Sequence, residues 1–162
     1  METALSPKER WSSALPVILV ASTIIAADQV SKFLIRATLG LGESAPSGWA
    51  VRITRVENTG SAFGLFNDQT LFLIIASFVA IGLMIYLFRQ IVGGGMLLRI
   101  LIGMQLGGAL SNLADRIFLG EVTDFIDFQV WPVFNVADSS IVIGIILLAW
   151  VILFHGKDQQ KA

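Results

Sequence analysis

The sequence contains no cysteine. That absence removes disulfides, thiolate metal sites and thiol catalysis together. Histidine occurs once, as His155, beside Gly156 and Lys157 at the end of the last apolar run. A lone histidine there reads as an interfacial residue, and its scarcity removes Ser-His triads, Cys-His pairs and HExxH zinc sites. Any hydrolytic chemistry must rest on carboxylates, lysine or hydroxyls. Charge is scarce as well: Asp, Glu, Lys and Arg make up 14% of the chain, and no block of basic residues appears. Nothing therefore points to nucleic acid as a partner.

What is abundant is hydrocarbon. Hydrophobic residues make up 55% of the 162 positions. A soluble domain of this size could not hide that much apolar surface, so the bilayer must act as part of the solvent. Four apolar stretches, at about residues 14–34, 70–88, 97–118 and 136–154, are each long enough to span a hydrocarbon core of about 30 Å as a helix. The chain is too short and too continuous in hydrophobicity for a barrel. The expected fold is all-α and polytopic: one membrane domain over residues 1–162 with four transmembrane helices and two outer segments, 36–69 and 119–135.

The first stretch has the basic start of a signal peptide in Lys8 and Arg10. Ile25 spoils the small-x-small triplet ending at Ala27, and the run continues past Asp28 into Val30, Phe33 and Leu34, so a retained helix is expected. Lys8, Arg10, Arg89, Arg99, Lys157 and Lys161 fall on one side of a four-span arrangement. Arg36, Arg52, Arg55 and Arg116 fall on the other, with Lys32 near them. That small bias places both termini in the cytoplasm.

The segment 36–69 is too long for a simple connector. Gly40, Gly42, Pro46 and Gly48 open it with turn chemistry. Trp49, Val51 and Ile53 then alternate with Ala50, Arg52 and Thr54, which predicts a short strand with one apolar face. Asn58, Gly60 and Gly64 predict a tight bend leading into a partly buried segment around Phe63 and Phe66.

Ionisable residues within membrane segments are costly, and so mark function by default. Asp28 lies late in the first helix with Lys32 one turn on, in the favourable order for a helix pair. Two readings stand: a salt bridge near the interface with Lys32 snorkelling outward, or support for a site. In the third helix Gly103, Gly107 and Ser111 form a small-residue stripe for close packing. Asn112, Asp115 and Arg116 are expected roughly opposite it, lining a polar cavity.

Asp124 follows the third helix and Asp138 opens the fourth. If these helices are antiparallel neighbours, the intervening segment folds back and sets both carboxylates at one depth. Two close carboxylates share a proton. The ionised one can activate water while the protonated one polarises a carbonyl. The plain alternative is a first-turn helix residue and an exposed loop aspartate. Asp127 competes with Asp124 as the partner, and spacing does not separate them.

Taken in order, these residues resemble the lipoprotein signal peptidase (type II signal peptidase) family. The resemblance covers nearly the whole chain and is carried by four motifs. They are Asp28-Gln29-Val30-Ser31-Lys32, then Asn58-Thr59-Gly60-Ser61-Ala62-Phe63-Gly64. Next comes the run from Gly107-Gly108 through Ser111-Asn112 to Asp115-Arg116, with Gly120-Glu121-Val122-Thr123-Asp124-Phe125. The last is Phe134-Asn135-Val136-Ala137-Asp138-Ser139. Ser111 and Ser61 stand where the family commonly has Gly and Ala, and both remain small.

The resemblance implies a metal-independent aspartic endopeptidase with no cofactor. It would remove signal peptides from bacterial prolipoproteins just before the diacylglyceryl-modified cysteine. By motif position Asp124 and Asp138 would be catalytic, and Asn58, Gly60, Asn112, Arg116, Asn135 and Asp28 would bind substrate or support the pair. The family also implies a β-like platform on the outer side between the first two helices. The expected setting is the bacterial inner membrane, with the site facing away from the cytoplasm. Lipid-modified precursors and membrane lipids are the expected partners, and the chain is expected to act as a monomer. A small proton-coupled transporter using Asp28, Asp115 and Asp138, or a membrane adaptor using the small-residue face, is the rival. The sequence shows no repeat and no broken-helix pattern, which counts against the transporter.

Overall fold

The computed structural model describes residues 7–60, 70–90 and 95–155. The expectations for Phe63, Gly64 and Phe66, and for Lys157 and Lys161, lie outside the described residues, as does the side chain of His155. Among the described residues there are four helices: α1 (Pro7–Thr38), α2 (Thr70–Gln90), α3 (Met96–Phe118) and α4 (Val136–His155). Strands β1 (Ser44–Ala45) and β2 (Arg52–Asn58) lie between α1 and α2, and β3 (Val122–Asp127) lies between α3 and α4. Within α1, Ser13–Thr38 is long and apolar enough to cross a membrane, as is all of α3. The strictly apolar parts of α2 and α4, Thr70–Tyr86 and Val136–Val151, are shorter.

The bundle packs around α3. Helix α1 makes its main contact there, α4 lies on another side, and α2 touches α3 more lightly. Glycine makes the α1–α3 approach possible. A Cβ on Gly107 would sit 2.8 Å from the Ala21 carbonyl oxygen and 2.9 Å from the Ile24 Cβ. Small residues let helix backbones meet where lipid supplies no hydrophobic drive between helices. Asp115 lies four residues beyond Ser111, so it continues this stripe instead of standing opposite it. Both Ser111 and Asp115 face α1, through hydrogen bonds from the Gln29 amide.

The apolar core is small, formed by Val17, Ile81, Ile102, Leu106 and Leu113. Large apolar side chains such as Phe33, Leu71, Val79, Ile146 and Leu153 are instead exposed on the outside of the bundle. That distribution suits a hydrocarbon environment.

The sheet corrects two expectations. The platform is not built from the first connecting segment alone, because its order is β1-β2-β3, antiparallel throughout, and β3 comes from the second. The fold is therefore mostly helical with a small three-stranded sheet. The strand also starts later than the alternation suggested: Trp49 and Val51 precede it and are exposed, and pairing runs on to Asn58↔Val122. After β3 the chain returns on itself. The amides of Phe125 and Ile126 both donate to the Phe134 carbonyl, and Phe134 N–H donates to the Ile126 carbonyl at 3.1 Å. This neck closes the loop between strand and helix and sets Asp124 beside the start of α4.

Candidate active site

The site stands on a buried ionic hub between α1, α3 and α4. Asp28 and Lys32 are both fully buried. An ammonium taken out of water needs every donor satisfied. Lys32 Nζ lies 2.6 Å from Asp28 Oδ2, 2.7 Å from Asp115 Oδ2 and 2.8 Å from Asn112 Oδ1. The snorkelling reading of Lys32 is thus corrected: the side chain points inward. Asp28 also accepts from the Ser111 hydroxyl at 2.8 Å and from Ala137 N–H at 2.9 Å. That amide belongs to the first turn of α4, where backbone N–H groups lack helical acceptors and favour a carboxylate.

The second group of polar residues lies around Asp124 and Asp138. Asn135 caps α4: its Oδ1 accepts from Asp138 N–H at 2.9 Å, and Asp138 Oδ2 reaches back to Asn135 N–H at 3.4 Å. This reciprocal pair is a capping box with aspartate in the third position. The same Asn135 donates through Nδ2 to Asp124 Oδ1 at 2.6 Å. One residue therefore holds both carboxylates, Asp124 through its side-chain amide and Asp138 through its backbone N–H. From the β2 side, Asn58 Nδ2 donates to Asp124 Oδ2 at 2.9 Å, while its Oδ1 accepts from Gly60 N–H. From the α3 side, Asn112 Nδ2 donates to Asp138 Oδ1 at 2.7 Å. Lysine only donates, so Lys32 fixes the Asn112 oxygen toward itself and the NH₂ group toward Asp138.

Among the described residues no cation forms an ion pair with Asp124 or Asp138. Burial, reinforced by the charge of Asp138, pushes the Asp124 carboxyl up to about 7. Bonds from Asn58 and Asn135, and the more distant Lys32, work in the opposite direction. A group poised there can hold or release a proton near neutrality.

Asp127, the competing partner, is engaged elsewhere. Its Oδ2 accepts from Thr54 Oγ1 at 2.6 Å and Arg52 Nε at 2.7 Å, and its Oδ1 accepts from Gln129 N–H at 2.7 Å. The Thr54 bond first, then Arg52 and the Gln129 amide, hold it below its ordinary value against the effect of burial. It is a fixed structural anion.

Asp124 and Asp138 line one cavity of about 630 Å³ together with Asn58, Asn112 and Arg116. Its lining is largely apolar and includes Val122, Trp131, Val133 and Phe134, with Val142 and Ile143 of α4. Arg116 has one weak bond within its own helix, at 3.5 Å to the Asn112 carbonyl. Among the described residues it forms no ion pair, which leaves a guanidinium facing the cavity.

Of the residues singled out from sequence, the structure gathers Asn58, Asn112, Arg116, Asp124, Asn135 and Asp138 here. Gly60 acts through Asn58, and Asp28 lies behind the cavity in the hub. Asn112, expected to face a bound backbone, spends its amide on Lys32, Asn135 and Asp138. Lys32 was expected to pair with Asp28, as it does, but its bonds to Asp115 and Asn112 were not anticipated. Their signal was present: Val17, Ala21, Ile24, Asp28 and Lys32 recur at helical spacing on the face that meets the α3 stripe.

The chain thus combines a helical bundle, a small sheet and two carboxylates held by asparagine amides at one cavity. Two solved structures, each described as a bacterial membrane enzyme, share this architecture. The first has a TM-score of 0.78 and 31% identity, covering 90% of this chain and 91% of that one. The second has a TM-score of 0.75 and 32% identity, covering 85% and 92%. The Signal peptidase (SPase) II family model matches residues 20–154, and the chain belongs to that family. A lipoprotein signal peptidase of Moorella thermoacetica is 41% identical over 91% of this chain and 99% of its own length. One of Shouchella clausii is 38% identical over 89% and 97%.

Proposed function

We propose that this enzyme removes the signal peptide from bacterial prolipoproteins with Asp124 and Asp138 as its catalytic pair, cutting before the diacylglyceryl-modified cysteine. As a signal peptidase II it is a peptide hydrolase, and prolipoproteins are its substrates. The observation that carries the residue assignment is Asn135, whose side-chain amide donates to the Asp124 carboxylate while its backbone N–H donates to that of Asp138, with both carboxylates lining one largely apolar cavity.

The pair carries one proton in the resting state. Asp124, with its raised affinity for a proton, holds it and hydrogen-bonds the scissile carbonyl oxygen. Asp138, which accepts only from amides, takes a proton from the attacking water. The hydroxide adds to the carbonyl carbon, and the carbonyl oxygen takes the Asp124 proton. Asp138 then delivers its proton to the leaving nitrogen as the C–N bond breaks. Collapse of the diol returns a proton to Asp124. The Arg116 guanidinium supplies donors for carbonyl oxygens of the peptide or lipid, which have no water to bind at that depth.

All four helices span the bacterial inner membrane in this reading, with both termini cytoplasmic and the pair at the opposite face. The lipid chains of the substrate stay in the bilayer, and the precursor enters sideways between helices. Surrounding lipids are direct partners, and one copy of the chain suffices.

The test is cleavage of a lipid-modified precursor by purified protein. Asp124→Asn and Asp138→Asn should each lower turnover by about 10³-fold or more, since each removes an acid–base partner. Near-normal turnover by either variant would remove that residue from the pair.

A further inference from the structure

Gln129 is a non-glycine residue with a left-handed backbone, at φ 62°. Such a conformation persists only where its surroundings hold it. Two bonds do so. The Gln129 N–H donates to Asp127 Oδ1 at 2.7 Å, closing a side-chain turn, and Asp127 is itself clamped by Arg52 and Thr54. The Gln129 side chain then crosses to the other segment, donating through Nε2 to the Trp49 carbonyl at 2.6 Å and the Ala50 carbonyl at 3.2 Å. The β2–β3 ladder ends at Arg52↔Asp127. Beyond it the two chains would part, and this amide replaces the missing backbone bonds.

Two residues on, the same turn supplies Trp131 to the cavity wall. At the far end of the loop Phe134, another wall residue, stacks on Phe128 at 5.8 Å and is fixed by the neck. The loop is thus anchored at both ends, and its residues Trp131, Pro132 and Val133 line the same cavity as Val142 and Ile143.

We infer that Gln129 is a positioning residue for substrate binding: its amide staples the loop to the Trp49–Ala50 backbone and so sets Trp131 against the apolar part of the precursor. This rests on the peptidase reading above. The staple lies on the far side of the neck from Asp124 and Asp138, so it acts on binding and leaves the chemical step alone.

Gln129→Glu keeps size and shape but replaces the donating NH₂ with an oxygen facing two carbonyls. Gln129→Gly removes the side chain while relaxing the left-handed backbone. With a lipid-modified precursor, each should raise KM by about five-fold and leave kcat within about two-fold, the pattern of lost binding common to ground and transition states. Hydrogen exchange at residues 128–133 should quicken in both variants, with melting little changed. Trp131→Ala should raise KM too, and combining it with Gln129→Glu should add little, because both act through one wall. Unchanged KM in both Gln129 variants, an equal fall in kcat, or full additivity with Trp131→Ala would overturn the inference while the peptidase reading stands. A wild-type protein that leaves the precursor uncut would overturn both.

Discussion

Two pairs of aspartates lie close together in this molecule, and they are treated in opposite ways. Asp28 and Asp115 share one ammonium, with hydroxyl, amide and backbone donors around them. Asp124 and Asp138 share no cation and are held by asparagine amides and a helix cap. A carboxylate paired with a fixed ammonium has its position set by that partner. A carboxyl held by neutral amides keeps its position in either protonation state. The first pair is suited to architecture and the second to proton exchange, although both consist of the same side chain. Asn112 joins them, taking its orientation from Lys32 and passing it to Asp138.

The sharpest way to break this contrast is to remove the cation. Lys32→Met would leave Asp28 and Asp115 buried without their partner, a loss of about 3–5 kcal/mol. The yield of folded protein and its melting temperature should fall together, whereas Asp124→Asn should lose turnover and keep its fold. Normal melting of Lys32→Met in detergent would show that the hub is not structural.

A smaller effect concerns pH. The folded state holds the Asp124 proton up to about pH 7, whereas the unfolded chain releases it near the ordinary value of 3.8. Between those values the folded protein binds more protons, so this group's contribution to stability declines as pH rises. Catalysis that needs the proton should fall through the same region, with the limb belonging to the coupled pair. Asn58→Ala removes a bond that favours the ionised form, so the alkaline limb of its residual activity should move to higher pH. A downward or absent shift in the rate profile would contradict the bond's role.

The smallest expected effect is none. Paired carboxylates do the work proposed here, so strong chelators should leave turnover within about two-fold of the untreated enzyme. Loss with EDTA and recovery with a divalent ion would replace the aspartic mechanism with a metal-dependent one.

The helices were legible because their signal is local. Apolar runs gave α2, α3 and α4 nearly to the residue, while α1 extends further at both ends. The polar interior was harder. Lys32 near a helix end reads naturally as snorkelling, since its direction depends on how α1 is rotated against α3. That rotation is set by Gly103 and Gly107 across the interface. The strand was misplaced for a related reason. Alternation at residues 49–54 is a property of one segment, but pairing with β3, far along the chain, decides which residues form a ladder. Asp124 and Asp127 could not be separated by spacing, because what distinguishes them is the company each keeps on that sheet: Asn58 for one, Thr54 and Arg52 for the other.

The neck between Ile126 and Phe134 has a consequence for how such a protein can change over time. Asp124, Asn135 and Asp138 all lie on its near side, and everything between residues 127 and 133 lies beyond it. Residues can be added, removed or exchanged in that loop while the backbone bonds at its base keep the strand and helix in place. Recognition and chemistry thereby become separately heritable. Transplanting this loop between relatives should carry precursor preference with it and leave the reaction centre of the recipient intact.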